Sequence, residues 1–237
     1  MSSETNRVTV HGVPGEGARF TGVIKGFIPL LTSVFLFGVL SGITLPVEAG
    51  GLVFLGLIVV FAVMLWLAYN SYSRGAESYF KGARGEEIVG IWLASLPAGY
   101  HVFHDVDLSG VGSLDHLVIG PTGVFVIETK FWAGVVTADG TSLLVDGVLP
   151  SRSPTQQILK EAAALQGFLT EKMIDAPAVT PVVCFASNTL TRDQRDSCLK
   201  LGDVAVCNVQ ELCDLITDDN QVLSAADIEQ FVKLWEY

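Results

Sequence analysis

The stretch Ser113–Gly134, S-L-D-H-L-V-I-G-P-T-G-V-F-V-I-E-T-K-F-W-A-G, decides the fold. It reads as two short strands, Leu114–Ile119 and Val124–Lys130, joined by the turn Gly120-Pro121-Thr122-Gly123. Proline at the second turn position and glycine at the fourth suit a type I turn, and the flanking runs are β-branched and aromatic. A loop symmetric about the Pro121–Thr122 bond sets Asp115 directly across from Glu128. Opposed residues project from one face with Cβ atoms ~5 Å apart. Lys130, two residues past Glu128, shares that face. Val124–Ile127 is apolar on both faces, which predicts a central strand with Glu128-Thr129-Lys130 emerging at its end.

Two carboxylates that face each other repel unless something neutralises them. One reading has both acids splayed into solvent at strand ends. The other has them share a divalent cation, since Mg²⁺ accepts a few hard oxygen ligands while keeping several waters. Lys130 beside such a cation would stabilise developing phosphate charge or orient a water. Its plainer use is an ion pair with a neighbouring acid.

The spacing D-x(12)-E-x-K at the ends of two hairpin strands resembles the PD-(D/E)XK nuclease superfamily. More narrowly, L-D-H-L-V-I-G-P-T-G-V-F-V-I-E-T-K is similar to the core of the nuclease-related domain family, NERD. Lys81-Gly82-Ala83-Arg84-Gly85-Glu86-Glu87-Ile88-Val89 resembles that family's G-E-x-x-V helix start, and Pro154-Thr155-Gln156-Gln157 its P-x-x-Q. The resemblance runs from Lys81 to Phe168, and more loosely to the C-terminus. It implies an α/β fold with a restriction-endonuclease-like mixed sheet flanked by helices. It also implies a Mg²⁺- or Mn²⁺-dependent nuclease with Asp115, Glu128 and the main-chain carbonyl of Thr129 as metal ligands. Lys130, Glu86 and Gln157 match the remaining catalytic positions. Each has a plainer alternative. Glu86 and Glu87 would be favoured in a first helical turn by the helix dipole, and for Glu87 this reading is preferred. Gln157 would be an exposed helix-start residue, and Gln156 replaces it if the register is off by one.

Half of the 237 residues are hydrophobic and only 16% are charged, against ~25% charged in soluble domains. That balance points to a membrane-embedded part. The formal net charge is −11, and from Gly75 onward 10 Lys and Arg stand against 22 Asp and Glu, or −12. Such a surface opposes broad binding to duplex nucleic acid, which normally needs a basic face. Cys184, Cys198, Cys207 and Cys213 form no C-x-x-C and read as free thiols in a reducing compartment.

Residues 1–26 read as a flexible cytoplasmic tail and 27–74 as a transmembrane helical hairpin. Phe27–Leu45 and Gly51–Tyr69 are each free of charge and, at 1.5 Å per residue, ~28 Å long, about the thickness of a bilayer's hydrocarbon core. Trp66, Tyr69 and Tyr72 fall where an aromatic belt would lie. Arg19 and Lys25 precede the first span, Arg74, Lys81 and Arg84 follow the second, and Glu48 alone charges the loop. The positive-inside rule then places both termini in the cytoplasm and residues 27–69 in the lipid bilayer. Gly38 and Gly42 form a small-xxx-small pattern suited to packing within the hairpin.

Residues 75–237 read as the NERD-like domain. Gly82–Leu96 is expected as a helix and Tyr100–Val106 as a strand. A second hairpin is expected about Asp139-Gly140. Pro154–Lys172 is a helix capped by Ser153, with Ile158, Leu159, Ala162, Leu165 and Leu169 on its buried stripe. Strands at Val179–Ala186 and Asp203–Cys207 and helices at Val209–Ile216 and Ser224–Trp235 complete an α/β order. His116 points away from Asp115 as a packed residue, and His101 and His104 take no catalytic role. Phe131 and Trp132 would stack on a base or cover the sheet edge.

Two functions fit. One is a membrane-anchored phosphodiesterase acting on nucleic acid at the cytoplasmic face. The other is a non-catalytic, nuclease-like module that recruits a protein or nucleic-acid partner to the membrane.

Overall fold

The computed structural model describes residues 7–44, 51–108, 110, 112–140, 142–172, 177–187, 189–191, 198–218 and 220–235. In chain order these form β1 (Thr9–His11), α1 (Glu16–Thr44), α2 (Gly51–Leu93), β2 (His101–Leu108), β3 (Gly112–Gly120), β4 (Gly123–Lys130), β5 (Val136–Asp139) and β6 (Ser142–Val145). Then follow α3 (Pro154–Glu171), β7 (Thr180–Phe185), β8 (Leu199–Leu201), β9 (Val204–Asn208), α4 (Val209–Thr217) and α5 (Ala225–Val232). Two compact units result: Gly17–Lys81, and Gly82–Tyr237 together with the N-terminal stretch up to Glu16.

The larger unit is built on a seven-stranded mixed sheet in the order β1-β2-β3-β4-β7-β9-β8, with β5 and β6 as a separate two-stranded ribbon. β3 runs antiparallel to both its neighbours, β2 and β4, while β4, β7 and β9 run parallel. Alternation along the central strands sends side chains to two cores. Leu117, Ile119, Val124 and Val126 pack with Ile158, Leu165 and Leu169 of α3 and with Phe231 of α5. On the other face Val118, Phe125 and Ile127 pack with Val89 and Leu93 of α2 and Leu212 of α4. β4 is apolar on both faces because both are covered. Each large aliphatic or phenyl side chain so buried stabilises the fold by ~1.5–3 kcal/mol.

The β3–β4 hairpin has the expected symmetry: His116 pairs with Ile127, Leu117 with Val126, Val118 with Phe125, Ile119 with Val124 and Gly120 with Gly123. Tertiary contacts pin its turn. Thr122 Oγ1 lies 3.0 Å from Tyr100 Oη and donates to Ile216 O at 2.6 Å. Pro121 O accepts from the N–H groups of Val222 and Leu223 at 2.7 and 3.0 Å. α3 begins as expected, with Ser153 accepting from Gln156 N–H at 3.3 Å and Pro154 in the first turn.

Several expectations change. The expected tail contains β1, which extends the sheet parallel to β2, and α1 begins at Glu16. Three residues suffice because Thr9 N–H bonds Tyr100 O at 3.0 Å and His11 stacks on Phe103 with ring centroids 4.3 Å apart. The helix expected to start at Gly82 is the end of α2, which begins at Gly51. Glu86 and Glu87 therefore lie deep in a helix, far from any N-terminal partial charge, and the dipole reading fails for both. On α3, Leu159 is exposed and Glu161 is buried in its stead.

Among the described residues one helical stretch, Glu16–Val39, is long and apolar enough to cross a membrane. The second apolar stretch among the described residues, Leu55–Asn70, is shorter than a span. The side chains of 40, 41, 52, 54 and 71–76, with Tyr72 and Arg74 among them, and the loop around Glu48 lie outside the described residues. The Phe37 and Phe61 rings lie tilted against each other with centroids 4.2 Å apart, and Lys25 lies over the Tyr79 ring. Among the described residues no heavy atom lies within 4 Å of where a Cβ would stand at Gly38 or Gly42. Phe27, Leu31, Phe35, Trp66 and Tyr69 are all more than half exposed, an apolar surface that water does not favour.

Gly120 lies face to face with Tyr100, and a Cβ there would run into the phenol ring. Gly120→Ala is expected to destabilise the larger unit by ~1–3 kcal/mol through overpacking, read as a lowered thermal midpoint.

Candidate active site

The site forms where β3 parts from its neighbours. Backbone pairing of β3 with β4 stops at His116–Ile127. On its other side, the β2–β3 ladder skips one rung between His104–His116 and Val106–Leu114. The skipped residue on β2, Asp105, has φ 52°, a left-handed conformation that aspartate tolerates better than most residues. Asp115 therefore sits in a stretch of β3 with no ladder partner, and its Oδ2 accepts from Thr129 N–H at 2.8 Å.

That bond orients the end of β4. Lys130 O accepts from Ala186 N–H on the β7 side at 3.0 Å. Polar groups of successive strand residues alternate in direction, so those of Thr129 face the Asp115 side, the main-chain carbonyl included. Glu128 and Lys130 project toward α3, on the face that also carries Val124 and Val126. Lys130 Nζ donates to Glu128 Oε1 and lies 3.4 Å from Gln157 Oε1. Gln157 Nε2 donates to Glu161 Oε1, one helical turn on, at 2.9 Å. From the opposite layer, α2 delivers Glu86, which is only 7% exposed.

The electrostatics bind these groups into one cluster. Asp115 is held well above its usual pKa, first by burial and then by Glu128 and Glu86; Thr129 N–H and Lys130 oppose the shift. Glu86 is raised to about 7 by burial, then by Asp105 and Glu128. Glu161 is also raised to about 7, by burial and then by Glu128. Among the described residues, Glu86 Oε2 and Glu161 Oε2 are buried without a hydrogen-bond partner.

A second polar chain lies beneath the site on the other face of the sheet. His104 Nδ1 and His116 Nδ1 are 2.7 Å apart, and His116 Nε2 is 3.1 Å from Thr129 Oγ1. Burial lowers both imidazoles, His104 to about 4 and His116 well below its usual value. Both are neutral at physiological pH, so one nitrogen of the Nδ1 pair donates and the other accepts. They orient Thr129 and bring no charge.

All six residues singled out from the sequence gather here: Glu86, Asp115, Glu128, Thr129, Lys130 and Gln157. Gln156 is exposed, and it is Gln157 that lies beside Lys130. Sequence reading missed Glu161 and Asp105. Glu161 had a signal, its i+4 spacing from Gln157, which the apolar stripe around it masked. Asp105 had none, because a skipped rung is a property of the paired strands.

Among the described residues no three His, Cys, Asp or Glu side chains converge closely enough to hold a metal ion by themselves. The carboxylates of Asp115 and Glu128 lie near enough to repel each other, and with the Thr129 carbonyl on the Asp115 side the available donors are all oxygen. Mg²⁺ uses one or two carboxylates and otherwise water, so this set fits it. The orphaned buried oxygen of Glu86 is a further hard donor at hand.

Residues 81–186 match the family model of the nuclease-related domain, NERD. That segment holds every residue of the cluster. An uncharacterised protein of Bacillus anthracis is 29% identical over 126 residues, 49% of this chain and 58% of that protein. The chain thus spans less than two thirds of that relative's length. No solved structure matches the chain.

Glu86 and Glu161 hold their protons more tightly folded than unfolded, where the carboxyl pKa is near 4.5. A raised pKa makes the folded state the better proton binder, so the stability these groups contribute is full below about pH 4.5 and falls until about pH 7. The metal-free chain in detergent is expected to melt at progressively lower temperature across that window. Glu161→Gln removes one of the titrations, and its midpoint is expected to fall less over the same range.

Proposed function

We propose that this chain is a membrane-anchored, divalent-metal-dependent nuclease with a restriction-endonuclease-like core, hydrolysing phosphodiester bonds of DNA at the cytoplasmic face. One observation carries the reading: the buried carboxylates at 86 and 128 and the half-buried one at 115 gather around Lys130, inside a segment that matches a nuclease-related family. Asp115, Glu128 and the Thr129 carbonyl would hold Mg²⁺ or Mn²⁺. When bound, the cation neutralises charge on the scissile phosphate and lowers the pKa of a water.

The remaining groups position and stabilise. Lys130, fixed between Glu128 and Gln157, presents positive charge to an oxygen of the phosphoryl group as that oxygen gains electrons. Gln157 holds the amine from the α3 side, and its own amide is oriented by Glu161. Glu86, with a pKa near neutrality, can hold or release a proton at its unpartnered oxygen.

The anchor rests on α1 and on the exposed apolar side chains of both helices. We take Gly51–Tyr69 as a second span, which puts both termini in the cytoplasm beside Arg19, Lys25, Lys81 and Arg84. Tethering raises the local concentration of membrane-proximal DNA and offsets the weak attraction of an acidic domain. That acidic balance, −12 from Gly75 onward, favours the second reading, a non-catalytic module recruiting a partner.

The full chain in detergent, incubated with linear, circular and single-stranded DNA, separates the two. Cleavage is expected with Mg²⁺ or Mn²⁺ and not with EDTA. Asp115→Ala should abolish it, and Lys130→Ala should lower the rate by ~10²–10³-fold, as for loss of one transition-state donor. No cleavage, with no Mg²⁺-dependent rise in melting temperature above neutral pH, would leave only the recruiting module. For the anchor, reporters fused to either end are expected to read as cytoplasmic, with the chain remaining in alkali-washed membranes.

A further inference from the structure

Next to the acid cluster the surface changes character. A groove of about 670 Å³ opens from Lys130 and Gln157, within the ~300–1,000 Å³ range of ligand sites. Trp132 forms part of its floor, its ring 5.6 Å from Phe185 and its carbonyl accepting from Ser187 Oγ at 2.7 Å. Val148 and Leu149, 68% and 65% exposed, stand along one wall, and Arg152 lies at the rim. Among the described residues, none of the side chains lining it is acidic, in a chain of net charge −11. No carboxylate among the described residues is within ion-pairing distance of Arg152.

The wall is preformed. Val145 and Val148 exchange backbone hydrogen bonds of 2.8 and 2.9 Å, and Asp146, at φ 49°, accepts from Val135 N–H at 2.8 Å. A tight loop therefore holds two large aliphatic side chains out toward solvent, beside an aromatic floor and two cations.

Resting on the nuclease reading above, we propose that this groove is a subsite for unpaired nucleotides, so that the protein takes single-stranded DNA in preference to duplex. A duplex presents phosphates and hides its base faces. It rewards a broad basic surface, and here the groove supplies only Lys130 and Arg152. A single strand presents both chemistries at once, phosphates for the two cations and base faces for Trp132, Val148 and Leu149. Continuity with Lys130 places the strand's backbone next to the acid cluster.

The test is fluorescence anisotropy on the full chain in detergent, with Ca²⁺ in place of Mg²⁺. The probes are a labelled thymidine oligonucleotide, a hairpin duplex with equal phosphate count, and an abasic strand of the same length. The single strand is expected to bind at least ~10-fold more tightly than the duplex, within the range of base–aromatic stacking. The abasic strand should lose that advantage. Arg152→Ala, which removes a phosphate contact, should weaken binding of strand and duplex alike. The double variant Val148→Ser, Leu149→Ser alters exposed residues and should weaken single-strand binding several-fold while leaving duplex binding unchanged. Trp132→Ala should do likewise and Trp132→Phe should restore binding, a rescue that a merely structural role for the ring would not give. Equal binding of strand and duplex, or variants without effect, overturns the inference; Asp115-dependent cleavage would then still uphold the nuclease reading. A strand preference that responds to these variants, in a chain that cleaves nothing, upholds the subsite and overturns the nuclease.

Discussion

Like-charge repulsion at the rim of a sheet is the constraint around which this molecule is arranged. Glu86, Asp115 and Glu161 each lie within electrostatic reach of Glu128, and Lys130 opposes the raised pKa values of those three. Buried carboxylates without enough positive charge favour their protonated forms. Two of these acids also carry a buried oxygen with no hydrogen-bond partner among the described residues. A fold keeps such a cluster only if other interactions over-determine the geometry.

Those interactions come from two apolar layers on opposite faces of the central strands. α3, with α5, seals one face; α4 and the C-terminal end of α2 seal the other. The acids arrive from both layers and from the sheet: Glu86 from α2, Glu161 from α3, Asp115 and Glu128 from β3 and β4. They meet where β3 lacks ladder partners on either side. The gap in pairing has a purpose in this geometry. A continuous ladder would consume the Thr129 N–H and carbonyl, whereas the gap frees the N–H to bind Asp115 and turns the carbonyl toward it.

The His104–His116–Thr129 chain supports the floor of the site without changing its charge. Burial keeps both imidazoles neutral, so they rigidify Thr129 while leaving the acids uncompensated from below. A positively charged pair at the same place would have relieved the repulsion and weakened any demand for an external cation. The groove beyond Lys130 has the opposite character, acid-free and partly apolar. The two surfaces adjoin at Lys130 and Gln157, which take part in both.

Much of this was legible in the amino-acid order because it rests on local rules. The Gly120-Pro121-Thr122-Gly123 turn sets a symmetric register as far as His116–Ile127, and a period of two then puts Glu128 and Lys130 on one face, while Asp115 lies beyond the last paired rung. Ser153 and Pro154 start α3, whose 3.6-residue period turns Gln157 inward. Long-range contacts decided the rest. Three residues at Thr9–His11 form a strand only because β2 offers an open edge, and Gly82 starts no helix because α2 has been running since Gly51. Glu161 is buried and Leu159 exposed because position 161 falls on the stripe of Ile158, Ala162, Leu165 and Leu169 that packs on the sheet, and position 159 lies off it. Local sequence fixes which way a side chain points along its own strand or helix; which charges then confront each other depends on packing between layers that no short window of sequence contains.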